Sequence, residues 1–190
     1  MQIRIWALPF TLLLSLVMPT VGMADGGDGS EKQHRVKANL VETLRASFIG
    51  YRHSAPDGYI PDPYCASGEN GGAVGIHFVK GSLVNTVLEA DQPEVLYYEP
   101  LPGGRIRLAG AEYVYLTDFV GTPPVTPQHL EGHLLNYMGS PNRFGIPGDW
   151  LRLNVWAWKR NPNGTFAGDN PRISCDAYDP NLHPQPPQLP

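Results

Sequence analysis

Four runs in which apolar and polar residues alternate constrain the fold of this chain more than any other feature. They are AVGIHFVK from Ala73, EVLYYEP from Glu94, RIRLAGAEYVYLTD from Arg105 and DWLRLNVWAWK from Asp149. Alternation with a period of two is typical of β-strands, and PLPGG joins the second run to the third as in a hairpin. The pattern predicts an α+β fold, an antiparallel β-sheet of about four or more strands with an N-terminal amphipathic helix packed on one face. A small β-barrel or sandwich is the alternative.

The amphipathic helix is predicted upstream of these runs. Ser30 and Gln33 fit a capping box at its start, and Gly50 fits a C-cap at its end. Its apolar stripe follows helical spacing and comprises Val36, Leu40, Val41, Leu44, Phe48 and Ile49. A segment dense in Pro and Gly, SAPDGYIPDPYCASGENGG, follows and predicts a loop.

The N-terminus has the pattern of an export signal. Arg4 precedes an apolar run at residues 7–17, which is too short to span a bilayer, and small residues lead up to Ala24. We predict a signal peptide at 1–24, a single globular domain at 25–179 and a Pro-rich disordered tail at 180–190. The chain is then exported, to a periplasmic or secreted location, with no membrane span after signal cleavage.

The charge of the chain bears on its partners, and its cysteine content bears on disulfide bonding. The 14 Lys and Arg residues against 18 Asp and Glu give no basic patch, which argues against a nucleic-acid partner. Cys65 and Cys175 are the two cysteines of the sequence, and an even pair in an exported chain predicts one disulfide.

Polar residues interrupt the apolar rows of the predicted strands. In a regular strand Glu112 lies in one row with Leu108, where an unpaired carboxylate is unfavourable. The other predicted strands also carry polar residues in partly apolar rows, and an aromatic residue lies beside them. Together they form a candidate ligand-binding pocket of His77, Glu99, Glu112, Arg152, Asn154 and Trp156. We predict that Glu112 contacts His77 or Arg152 in a cavity. The structural alternative is an ion pair of Glu112 with Arg152 or Arg107 and a buried core histidine at His77.

A second candidate site lies in HLEGHLLNYM. Thr126 followed by Pro127 predicts a short helix from Pro127 to Asn136, on which His129 and His133 at i and i+4 would share one face. Two histidines with a carboxylate suit zinc, and histidine with methionine suits copper. His129 and His133 are therefore a candidate metal site, and a divalent metal is the cofactor that this pattern indicates.

Three blocks in the same order resemble a family of uncharacterised exported bacterial proteins. They are GIHFV, PEVLYYEP and NPNGTFAGDNPRISC, which follow the patterns GxHFV, PExLxYEP and NPxGxFxxxNPxxxC. The likeness covers about Arg45 to Cys175 and implies export but no particular reaction. The family pattern has a histidine before W-x-W where this chain has Asn154, and this departure argues against a metal at His77 and Glu112.

Three functions fit these patterns. The leading hypothesis is an exported protein that binds a small ligand or a metal ion in the sheet-lined pocket. The second is a hydrolase that uses Glu112 or Glu99 as general base near His77, although the sequence has no G-x-S-x-G, P-loop or dinucleotide-binding motif. The third is an envelope interaction protein whose Pro-rich tail docks a partner.

Overall fold

The structure of the protein, a computed structural model, describes residues 40–68, 71–117, 127–139 and 148–188. The predicted signal peptide at 1–24 and the predicted helix start at Ser30 lie outside the described residues. Within the described ranges, no helix is long and apolar enough to cross a membrane.

Antiparallel β-strands are the main regular secondary structure of the described chain. In chain order they are β1 Ile60–Ser67, β2 Ala73–Val79, β3 Val95–Leu101, β4 Arg105–Leu116, β5 His129–Leu130, β6 His133–Leu134, β7 Asn136–Met138 and β8 Trp150–Val155. Six of them form one sheet in the order β1-β2-β3-β4-β8-β7, and β5 pairs with β6. The four alternating runs of the sequence correspond to β2, β3, β4 and β8, which confirms the predicted antiparallel sheet.

Helix α1 occupies residues 40–47 of the described chain. Leu40 and Leu44, one turn apart, and Phe48 just beyond the helix are buried in one apolar cluster with Ile76 of β2 and Leu108 of β4. Spacing by four places these side chains on one stripe. We call the side of the sheet that carries this cluster the helix face.

The opposite side of the sheet, which we call the far face, carries a second apolar cluster. Its members include Val95, Tyr97, Val114, Trp150 and Trp156. β8 divides between the two faces, because Leu151 and Leu153 belong to the helix-face cluster. Trp158, beyond the end of β8, also packs against the helix-face cluster.

A β-bulge in β4 decides the face on which Glu112 lies. Tyr97 pairs with Gly110 and the next residue of β3 pairs with Leu108, so Ala109 is the extra residue. Leu108 therefore faces α1, whereas Glu112 contacts Tyr97 on the far face. The prediction that Glu112 shares a row with Leu108 is wrong, because the bulge shifts the alternation by one residue. Glycine suits position 110, since a Cβ there would stand 3.1 Å from the Tyr97 ring.

The segment predicted as a helix from Pro127 to Asn136 forms a tight hairpin of β5 and β6 instead. Its turn residues, Glu131 and Gly132, have φ values of 48° and 77°, as a two-residue turn with positive φ at both positions requires. His129 and His133 are diagonal in this hairpin and not directly opposite, so their side chains point to opposite sides. The shared helix face on which the predicted metal site depended is therefore absent.

The two cysteines form the predicted disulfide. Cys65 of β1 is bonded to Cys175, across a sequence separation of 110 residues. The bond joins one edge of the sheet to the segment that follows β8.

The chain beyond Pro180 differs from the predicted disordered tail. His183 is 3 % exposed, and its Nε2 lies 3.1 Å from the carbonyl oxygen of Leu101. The backbone of Leu182 covers the turn between β3 and β4, where a Cβ on Gly104 would stand 2.4 Å from the Leu182 carbonyl oxygen. Residues 180–183 therefore pack on the domain, because both ring nitrogens of a buried histidine find backbone partners there.

Candidate functional site

Three buried side chains from neighbouring strands form a hydrogen-bonded group on the far face. Tyr97 of β3, Glu112 of β4 and Asn154 of β8 are all 3 % exposed or less, and Glu112 lies directly opposite Asn154 in the β4–β8 pairing. The Tyr97 hydroxyl donates to Asn154 Oδ1 at 2.7 Å and also contacts Glu112 Oε2. We call these three residues the Tyr97 group.

The Tyr97 hydroxyl has one proton for these two oxygens. Burial raises the pKa of Tyr97 well above its ordinary range, and the charge of Glu112 raises it further, so the phenol stays neutral at physiological pH. The hydroxyl therefore donates either to Glu112 Oε2 or to Asn154 Oδ1 at any one time. In both arrangements the hydroxyl fixes the position of the Glu112 carboxyl group.

Beside the Tyr97 group lies a cavity of about 260 Å³. Six apolar residues line it: Val79, Val84, Val95, Val114, Leu116 and Trp150. Asp62, His77 and Glu112 add polar groups to the same wall. Tyr64 of β1, which is 44 % exposed, also lines the cavity, so the cavity reaches solvent beside the β1 edge.

His77 connects the cavity mouth to the Tyr97 group. Its Nδ1 lies 3.4 Å from Asp62 Oδ2, and its ring centroid lies 5.0 Å from that of Tyr97. The structure therefore brings His77 and Glu112 to one cavity, with the Tyr97 side chain in contact with both. A carboxylate beside one ring nitrogen orients an imidazole.

Glu99 belongs to a separate ion-pair network. Its Oε2 accepts from Arg107 Nη2 at 2.6 Å, and its Oε1 accepts from Lys159 Nζ at 2.6 Å. The described residues that line the cavity do not include Glu99. With both oxygens paired to cations, Glu99 is suited to a structural role and not to that of a general base, and Arg107 pairs with Glu99 in place of the predicted Glu112.

Within the Tyr97 group Asn154 comes from β8, and two further predicted residues, Arg152 and Trp156, lie beside the group. Trp156 Nε1 donates to the Ala167 carbonyl oxygen at 2.8 Å, and its ring centroid lies 5.5 Å from that of Tyr97. The positive charge of Arg152 lowers the pKa of Tyr97, against the larger effects of burial and Glu112. These three predicted residues are not among the described residues that line the cavity.

Glu94 is a buried carboxyl group that the sequence patterns did not single out, because it marks the start of a strand-like run. It is 1 % exposed, and its Oε2 accepts from the backbone N–H of Val114 at 2.9 Å. Burial raises the pKa of Glu94 to about 7, and the charge of Glu112 contributes to the rise, while hydrogen bonds from backbone N–H groups oppose it. Glu94 and Glu112 are therefore two neighbouring carboxyl groups whose negative charges repel each other.

Asp62 was also missed, because Pro61 and Pro63 on either side of it predict a loop. The segment forms β1, which lies at the edge of the sheet. An edge strand tolerates proline, since one side of its backbone has no ladder to donate to. The segment IPDPYCAS shows no regular alternation of apolar and polar residues, so the sequence carries no periodic signal for Asp62.

Comparisons with protein families, with curated proteins and with solved structures find no match to this chain. The part of the chain that the structure describes contains no group of three or more His, Cys, Asp or Glu residues arranged to hold a metal ion. We therefore infer function from the geometry of the far-face cavity.

Proposed function

We propose that this protein binds a small organic molecule in the far-face cavity. The observation that carries the proposal is an apolar cavity of about 260 Å³ with a nearly buried carboxyl group, Glu112, held in its wall. Ligand pockets commonly combine apolar walls with a few fixed polar groups. For comparison, an apolar cavity of about 150 Å³ is enough to hold benzene.

The proposal extends to where the protein works. A disulfide between Cys65 and Cys175 is typical of proteins in oxidising compartments, and the N-terminal sequence has the pattern of a signal peptide. We infer an exported, bacterial ligand-binding protein of the family that its three sequence blocks resemble.

Cavity filling tests the binding proposal. We expect fragments with a single aromatic or branched aliphatic group to shift the amide resonances of β4 and β8 in two-dimensional NMR spectra. Val84→Trp should abolish these shifts, because Val84 lines the cavity. Val87→Trp is the matched control, since Val87 is 60 % exposed. Equal binding by wild type and Val84→Trp, or no binding by wild type, would contradict the proposal.

A second candidate function is hydrolysis, which the contact between His77 and Asp62 favours. A histidine oriented by a carboxylate can act as a general base towards a water molecule. The described cavity wall contains no serine, threonine or cysteine, and in this candidate mechanism His77 activates a water molecule as the nucleophile. If the protein hydrolyses p-nitrophenyl esters, His77→Gln should abolish the activity and His129→Gln, at an exposed position, should retain it. Activity that survives His77→Gln would reject this candidate.

A further inference from the structure

The charges around the far-face cavity indicate what kind of molecule it takes. Asp62 and Glu112 line the cavity, and neither lysine nor arginine is among its described lining residues. Glu94 lies next to the lining residue Val95, and the charge of Glu112 contributes to the raised pKa of Glu94. The wall is therefore acidic, with His77 beside Asp62 as its other ionisable group.

Glu99 provides an internal comparison. This carboxylate is 7 % exposed, close to the 3 % of Glu112, and it has a cation on each oxygen, from Arg107 and Lys159. Glu112, by contrast, contacts the neutral phenol of Tyr97, and Arg152, whose positive charge acts on Tyr97, is not among the described residues that line the cavity. A carboxylate in an apolar wall is unfavourable unless a cation or several donors compensate it.

The other lining residues suit the apolar body of a ligand that also carries a positively charged group. Val95, Val114 and Leu116 offer aliphatic contacts, and the Trp150 ring offers an aromatic surface, on which an ammonium group can also rest. Tyr64 stands at the open side of the cavity. A ligand that enters beside β1 would therefore pass Asp62 before it reaches Glu112.

We propose that the ligand is a protonated amine with an apolar body of the size of a phenylethyl group, and that Glu112 binds its ammonium group. This inference rests on the proposed function, because it assumes that the cavity binds a ligand. The Tyr97 hydroxyl positions the Glu112 carboxyl group, which leaves Oε1 to accept from the ammonium, and Asp62 adds a second negative charge nearer the mouth.

Three matched probes test the charge preference: 2-phenylethylamine, 2-phenylethanol and 3-phenylpropionate. In calorimetric titrations at neutral pH, we expect the amine to bind at least about tenfold more tightly than the alcohol, and the carboxylate to bind more weakly than both. If the alcohol binds as well as the amine, the amine inference is overturned while cavity binding stands. If none of the three binds, both proposals fail.

Removal of the charge at Glu112 assigns the effect to that residue. Glu112→Gln should reduce the affinity for the amine to about that for the alcohol and leave the affinity for the alcohol unchanged. Glu89→Gln, at an exposed position, makes the same change in net charge and should alter neither. If Glu112→Gln does not fold, as judged by its circular dichroism spectrum, Asp62→Asn at the half-buried cavity mouth should weaken amine binding selectively. An unchanged ratio of amine to alcohol affinity in the folded variant would overturn the proposal.

Discussion

Replacement of Glu94 by glutamine should make the protein more stable at alkaline pH and leave it nearly unchanged at acidic pH. The carboxyl group is 1 % exposed, and burial raises its pKa to about 7 from an ordinary value of 4.5. Glutamine keeps an oxygen for the Val114 N–H but cannot ionise. The variant therefore resembles the wild-type protein with Glu94 protonated.

The sign follows from proton linkage. A group whose pKa is higher in the folded state binds more protons there, so its stabilising contribution is complete below pH 4.5 and is lost as the pH rises through 7. Each unit of pKa difference corresponds to about 1.4 kcal/mol. From the difference between the two pKa values, the free energy of unfolding of the wild type should fall by up to about 3 kcal/mol as the pH rises across this range. Glu94→Gln should not show this fall.

Urea unfolding with the disulfide intact measures this difference. The free energy of unfolding would be determined for both proteins at several pH values between about 4.5 and 8 by linear extrapolation. The two curves should coincide near the acidic limit and separate as the pH rises. Glu89→Gln, which removes an exposed carboxylate, should follow the wild type throughout.

Two outcomes would refute this reasoning. Parallel curves for wild type and Glu94→Gln would mean that Glu94 titrates alike in the folded and unfolded chains, and hence that its burial is compensated. A variant whose stability falls increasingly below that of the wild type as the pH rises would mean that the charged carboxylate stabilises the fold, most directly through its bond from Val114.

Three further predictions concern the fold. Thiol titration of the denatured, unreduced protein should find no free thiol, and one or more free thiols would contradict the Cys65–Cys175 disulfide. Reduction should lower the free energy of unfolding by roughly 4–5 kcal/mol, the value expected for a closed loop of this length. Truncation after Asp179 should lower the melting temperature by several degrees, because it removes the buried His183. Truncation after Pro184 keeps His183 and should leave the melting temperature unchanged. Equal melting temperatures for the two truncated proteins would show that His183 does not stabilise the domain. Tyr97→Phe should destabilise the protein by about 1–3 kcal/mol in urea, since it leaves one of the two buried oxygens that the hydroxyl contacts without a donor. Tyr51→Phe on the surface should have little effect, and similar values for both would mean that the Tyr97 hydroxyl contributes no net stability.

Local alternation was sufficient to predict the strands wherever pairing is regular. β8 pairs with both of its neighbours without a shift of register, so the alternation of Leu151 and Leu153 with polar residues places each side chain on its face. In β4 the same reasoning failed for Glu112. Next to the bulge at Ala109, Gly110 lies close to the Tyr97 and Trp156 rings, a contact between strands that leaves no periodic mark in the β4 sequence.

The two histidines of HLEGHL show how one pattern can fit two structures. Spacing by four fits a helix face, but the glycine at 132 disfavours a helix by about 1 kcal/mol relative to alanine and favours a turn with positive φ. The turn is favoured over the helix because Leu130 is buried in the helix-face cluster. The spacing of His129 and His133 does not reveal this tertiary contact. Asp62 was hidden for a related reason, since prolines exclude a central strand but not an edge strand.

The bulge also sets a limit on how β4 can change in evolution. Deletion of Ala109 would restore regular alternation and move the side chains beyond it to the other face in one step. Glu112 would then turn into the helix-face core, and Tyr113 would replace it on the far face. Substitutions can alter the chemistry of the cavity one side chain at a time, whereas a single-codon deletion here would exchange the two faces of half a strand. We therefore expect related chains to keep the number of residues between the β3–β4 turn and Glu112 more strictly than the identities of those residues.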